Sequence, residues 1–204
     1  MKILPDTLLK DRYDVVVVGA GLGGMTAASL LAKRGVSVLM IEQQNKPGGA
    51  CTSFKREDHV FDVGAAMLYG FGEKGSGRSD RYSGQVLYQH LRDEILIDKD
   101  QAYGVRLQNG AEIRAERVIA NTTVWNIYGK LVRPEHIPPE RLKWAQSLVP
   151  TFPSMTLYMV VDCEGIPDGI FPWEIFLENR KVIDSSDLTL YINSLVDATL
   201  CPPG

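Results

Sequence analysis

Apolar and polar positions change their period several times along this chain. Val15 to Val18 is an unbroken β-branched run, the pattern of a strand buried on both faces of a parallel sheet rather than of an alternating, half-exposed one. From Gly23 to Arg34 the period becomes helical. Ala27, Leu30 and Leu31, with the small Gly24 and Ala28, mark one close-packing face, and Gly35 stands where a helix ends. Val36 to Ile41 is a second buried strand. Two parallel strands joined by a helix require a right-handed crossover, so the stretch predicts a βαβ unit.

Further along, Val86 to Leu91 and Glu94 to Ile97 read as strands, the start of a β-meander. Tyr103 to Leu107 and Glu112 to Arg114 flank Asn109-Gly110, a type I′ hairpin signal. Val118 to Ala120 returns to the parallel sheet. Residues 72–84, with four glycines and three serines, form a flexible joint. Pro138-Pro139-Glu140 opens a helix that runs to about Ser147. Met155 to Val161, Glu174 to Leu177 and Leu188 to Leu195 are strand-like.

Between the first strand and its helix lies "GAGLGG". Gly19, Gly21 and Gly24 fill the G-x-G-x-x-G template: the first permits a tight turn, the second lets a pyrophosphate approach the backbone, and the third lets helix and strand pack closely. The start of the helix then offers N–H groups and partial positive charge to phosphates. Glu42, at the end of the second strand, is placed to accept hydrogen bonds from a ribose diol and to repel a 2′-phosphate. The competing reading is a glycine-rich turn with a solvated Glu at a strand end. Gly48 and Gly49 follow soon after, and Gly64 lies beyond "HVFDV". These further points of close backbone approach suit a longer, extended ligand such as FAD, unless Pro47-Gly48-Gly49 is only a turn.

Length and composition narrow the function classes. A chain of 204 residues with 45% hydrophobic content buries roughly 70% of its unfolded surface. The net charge of −3, with no polybasic cluster, gives no reason to expect a nucleic-acid partner. Cys51, Cys163 and Cys201 are far apart and fit free thiols in a reducing compartment. His59, His90 and His136 lack ligand spacing, so no metal is expected. Pro5, Asp6 and Asp11 interrupt any signal-peptide core, and no run of ~20 apolar residues could span a bilayer. A cytoplasmic protein is expected. Phe171, Pro172 and Trp173 read as core packing, with peripheral contact to a membrane or a lipid-soluble substrate as the alternative.

The stretches "YDVVVVGAGLGGMTAASLLAKRG", "IEQQNKPGGACTSF" and "FDVGAAMLYGFGEKG" closely resemble the N-terminus of the flavin-dependent phytoene desaturase and carotenoid isomerase family, which includes retinol saturase-like enzymes. The likeness resumes at "AYGVRLQNGAEIRAERVIANTTVW" and runs on to "DLTLYINSL". It implies an α/β fold: a Rossmann-like, glutathione-reductase-like FAD-binding domain with a β-meander over residues 1–124, and a partial α+β substrate-domain segment over 125–204. It implies FAD contacts at Gly19, Ala20, Gly21, Leu22, Gly23, Gly24, Glu42, Gln43, Gly48, Gly49, Ala50, Gly64 and Arg92, with Asp62 to Gly64 lining the cofactor's path. Two departures stand out. Ala50 replaces an arginine that often follows the glycine pair, and Arg92 stands where a valine commonly begins the adenine-holding strand. The family's long connecting domain and its closing Gly-Asp segment have no counterpart, so a shortened form is expected. The implied activity is FAD-dependent oxidoreduction or isomerisation of a hydrophobic polyene, with no catalytic side chain to name. A nicotinamide-dependent enzyme and a non-catalytic dinucleotide-binding remnant are the rivals; oligomeric state is unknown.

Overall fold

A computed structural model describes residues 2–3, 9–64, 85–88, 91–150, 156–162, 164, 169, 173–177 and 187–191. The chain divides into two compact units: Met1–Thr52 with Val63–Pro153, and Ser53–Asp62 with Ser154–Gly204.

The first unit is built on a seven-stranded sheet. Its strands in chain order are β1 (Lys2–Ile3), β2 (Arg12–Val18), β3 (Val38–Glu42), β6 (Gln85–Tyr88), β7 (Leu91–Asp98), β8 (Gln101–Leu107) and β9 (Glu112–Ala120). The spatial order is β1-β6-β3-β2-β9-β8-β7. From β1 to β9 the pairings are parallel; β9-β8-β7 is an antiparallel meander. Helix α1 (Leu22–Lys33) makes the crossover from β2 to β3, as the alternating periods predict.

The β-branched run of β2 is buried on both faces. Val15 and Val17 pack with Val38, Met40 and Ala28 beneath α1, while Val16 and Val18 pack with Leu39, Ile41 and the meander residues Ile95, Val105 and Leu107. Each such side chain contributes about 1.5–3 kcal/mol relative to exposure. Within α1 the buried positions are Gly24 and Ala28, with Met25 and Leu31 beside them. Leu30, expected on this face, is 48% exposed; the face that meets the strands is Gly24, Met25, Ala28 and Leu31, spaced by three and four residues.

Three further expectations are corrected. Val86 to Leu91 is not the first strand of the meander: β6 ends at Tyr88 and pairs parallel with β3, and the meander begins at Leu91. Nor is Asn109-Gly110 a type I′ turn. Gly110 N donates to Leu107 O at 2.9 Å, Leu107 N donates to Ala111 O at 2.8 Å, and Gly110 alone in this turn has positive φ, at 88°. This is a three-residue turn closed by a glycine bulge. The two-residue turn with both positions at positive φ is instead Lys99-Asp100, at 45° and 62°. Finally, of Met155 to Val161, read as a strand, the described residues 156–161 adopt no regular secondary structure; an apolar run becomes a strand only with a ladder partner, and none pairs with it among the described residues.

After β9 the chain forms a short helix α2 (Val124–Asn126), capped by Thr123, whose hydroxyl accepts from Asn126 N at 3.2 Å. It continues as a π turn (Ile127–Leu131) that buries Leu131 in the same core cluster as Val18, Ile41 and Ile95. Helix α3 (Pro139–Ser147) starts at the expected proline pair. In the second unit, β4 (Ser53–Arg56) pairs antiparallel with β5 (His59–Asp62), and β10 (Trp173–Leu177) with β11 (Asp187–Tyr191). Phe54 and Phe61 stack there, and Tyr158 meets both edge-on, with ring centroids 5.0–5.4 Å apart. The 72–84 joint, His90, Cys163, Cys201, Phe171, Pro172 and residues 192–195 lie outside the described residues. Among those described, no helix is long and apolar enough to cross a membrane.

Candidate functional site

A cleft of about 320 Å³ opens at the carboxyl ends of β2 and β3 and contains Gly19, Gly21, Glu42, Gln43 and Gly49. Parallel strands leave this end open because their crossover loops separate here. Gly19 turns the chain out of β2 with φ +98°, while its N–H still donates to Ile41 O at 2.8 Å. Gly21 precedes α1 as its N-cap at φ −69° and has no side chain to offer the first-turn N–H groups of Leu22, Gly23 and Gly24.

Glu42 is not a solvated strand end. It is 7% exposed, and each carboxylate oxygen takes a backbone N–H: Ala20 N donates to Oε2 at 2.6 Å and Gln44 N to Oε1 at 2.8 Å. The acid therefore ties the glycine loop to the end of β3. A carboxylate has about four acceptor sites, so both oxygens keep capacity for a further donor.

The second glycine pair packs against the first loop. Gly48 N donates to Ala20 O at 2.8 Å, Gly21 and Gly48 form a parallel bridge, and a Cβ on Gly49 would lie 3.2 Å from Gly21 Cα. Gly48 and Gly49 have φ of +124° and +59°, leading into the short turn Gly49–Cys51. Ala50 stands beside Gly64, whose Cβ position is 3.3 Å from Ala50 O. Arg92 is not brought to the cleft: it lies on β7, the sheet's edge, with β8, β9 and β2 between it and β3.

The opposite wall comes from residues the sequence reading did not single out: Asn121, Thr122, Asn126 and Lys130. Asn121 N donates to Val18 O at 2.8 Å, extending the β2–β9 ladder one step into the cleft. The signal available for them was position, since they follow the third long parallel strand at the ligand-binding end of such sheets. Their segment is tied to the meander through Arg133, which pairs with the carboxylate of Glu94; Arg106 pairs with the same carboxylate and with Glu112 at 2.7 Å. The Glu112 hydrogen bond, offset by burial and helped by the charge of Glu94, raises the Arg106 pKa above its already high value.

Comparison with known proteins agrees with this geometry. Residues 17–79 match the family model of the NAD(P)-binding Rossmann-like domain. Prolycopene isomerase 2 of an Oncidium hybrid cultivar is 42% identical over 66 residues, 32% of this chain and 11% of that protein. Human all-trans-retinol 13,14-reductase is 43% identical over 68 residues, 33% of this chain and 11% of that protein. The match thus spans about a tenth of the length of these curated relatives. Among solved structures, an oxidoreductase from Methanosarcina mazei superposes with TM-score 0.52 at 15% identity, over 67% of this chain and 65% of that one. A protein from Pyrococcus furiosus gives 0.50 at 14%, over 69% and 66%. These two share the fold. The N-terminal third of this α/β chain is thus similar to prolycopene isomerases and all-trans-retinol 13,14-reductases, and residues 17–79 are similar to the NAD(P)-binding Rossmann-like domain.

Proposed function

We propose that the cleft binds the ADP half of FAD in an oxidoreductase of the carotenoid isomerase and retinol saturase kind, acting on a hydrophobic polyene. The observation that carries this reading is the glycine loop at the carboxyl ends of β2 and β3, with Glu42 held at its rim. The residues present fit the group. Gly21 sits at an unstrained φ, so what its missing side chain provides is room in the cleft rather than backbone freedom. Gly19, Ala20, Leu22, Gly23 and Gly24 would surround the pyrophosphate, and the spare acceptor sites of Glu42 suit a ribose diol. Gln43, Gly48, Gly49, Ala50 and Gly64 would follow the cofactor's path. Bound FAD would supply the hydride chemistry, while this chain's residues hold and orient it. The relatives named for prolycopene and retinol support a polyene substrate.

The NAD(P) description of the matching family model favours a second reading, a nicotinamide cofactor. Purification followed by an absorption spectrum, denaturation and identification of the released cofactor separates the two. A yellow protein that releases FAD supports the first reading; a colourless one that titrates with NAD⁺ or NADP⁺ supports the second. Affinity for none of the three would remove the dinucleotide assignment.

A further inference from the structure

The glycines of the loop make room for a side chain that the protein itself supplies. A Cβ on Gly23 would lie 2.7 Å from Asn121 Oδ1, and one on Gly21 or Gly24 would lie 3.1 Å from Asn121 Nδ2. A Cβ on Gly19 would come within 2.4 Å of the Asn121 backbone oxygen. One residue after β9 therefore supplies the nearest neighbour at Gly19, Gly21 and Gly23, and a second close neighbour, after Gly19 O, at Gly24. Its carboxamide carries two N–H donors and an acceptor oxygen. Among the described residues it makes one long hydrogen bond, Nδ2 donating to Gly19 O at 3.5 Å, near the limit at which such a contact counts. The side chain is thus positioned by packing rather than used up by bonding, and it lines the cleft beside Gly21.

Resting on the dinucleotide reading above, we propose that Asn121 is a pyrophosphate-contacting residue: its carboxamide donates to a phosphate oxygen of an adenine dinucleotide lying along Gly19 to Gly24. A neutral donor suits this place, because it can lie against the backbone of the glycine loop without the desolvation cost of a buried charge. The same chemistry serves FAD and NAD(P), since both share the ADP pyrophosphate.

The test uses the full chain. Asn121→Asp keeps the size of the side chain but replaces the donor with a charge that repels phosphate; Asn121→Ser removes the carboxamide without adding charge. FAD, NAD⁺, ADP and adenosine are titrated against each, with thermal midpoints taken in the absence of ligand. We expect at least a tenfold loss of affinity for every phosphate-bearing ligand that wild type binds in Asn121→Asp, a smaller loss in Asn121→Ser, and unchanged adenosine binding. A third arm needs no ligand. Gly23→Ala should lower the midpoint in the wild-type background and be tolerated, or raise it, in the Asn121→Ser background.

Wild-type binding with equal affinity in Asn121→Asp would overturn the assignment of Asn121 while leaving the dinucleotide reading in place. Parallel losses for ADP and adenosine would overturn it too, by showing a merely structural role. A wild type that binds none of the phosphate-bearing ligands would overturn both readings, even if Gly23→Ala were rescued.

Discussion

The glycines of one motif differ in what each would lose. A Cβ on Gly24 would fall 2.0 Å from Gly19 O, a backbone atom that cannot move aside, so Gly24→Ala is expected to cost at or above the upper end of the ~1–3 kcal/mol range for overpacking in a urea titration. Gly21→Ala meets only the mobile end of Asn121 at φ −69°, and should leave stability within about 0.5 kcal/mol while weakening FAD binding. Glu42→Ala should cost about 1–3 kcal/mol in the same titration even without ligand, because it leaves the Ala20 N–H without its partner. The roles of Gly19 and Gly24 were readable from spacing because the turn at Gly19, with φ +98°, and the packing of Gly24 on Gly19 O are local. The inward turn of Glu42 was not, since a strand-end acid looks the same in sequence whether it faces solvent or a loop 22 residues back. Asn121 was least legible of all: it meets the glycine loop across 102 residues, through the β2–β9 register alone.

At the scale of elements, the β2-α1-β3 unit was legible because its hydrophobic periods are local and unbroken. The meander was legible in outline but not in its turns. Asn109-Gly110 has the composition of a type I′ turn, yet Lys99-Asp100 takes that conformation, because strand pairing on either side fixes the number of residues left to turn. Mid-strand in β8, a Cβ on Gly104 would lie 2.3 Å from Ile113 O. Gly104→Ala should therefore part β8 from β9, seen as lost amide protection across Gly104 to Arg106, whereas Gly110→Asn should be mild. Glu94, with its side chain 12% exposed, holds two arginines. Glu94→Gln should cost about 1–3 kcal/mol, toward the low end because Arg133 is half exposed and screened. Since the Arg106 pKa is raised, its contribution is fully present below the ordinary arginine value and is lost only at still higher pH. The Glu94→Gln effect measured between about pH 6 and pH 9 should consequently show no change traceable to Arg106.

For the whole molecule, the cleft lies wholly within one compact unit. Saturating FAD should accordingly slow amide exchange in β2, β3 and the end of β9, by up to ~2.7 kcal/mol at a hundredfold excess over Kd, and leave β4, β5, β10 and β11 unchanged. Protection spread equally over both units would show that the ligand sits elsewhere. The double pairing of β9 carries a further consequence, for the order in which the chain folds. Its first residues pair with the adjacent hairpin strand β8, but its last residues reach β2 across about a hundred positions. Loop closure over such a separation is entropically slow, whereas the meander closes through short turns. A meander formed first would present β9 as a ready edge, reducing the long-range step to docking of β2 against it. On this hypothesis Val105→Ala slows refolding in a stopped-flow chevron, while Val17→Ala chiefly speeds unfolding. The reverse pattern would mean that the nucleotide-binding half forms first and the meander is added to it.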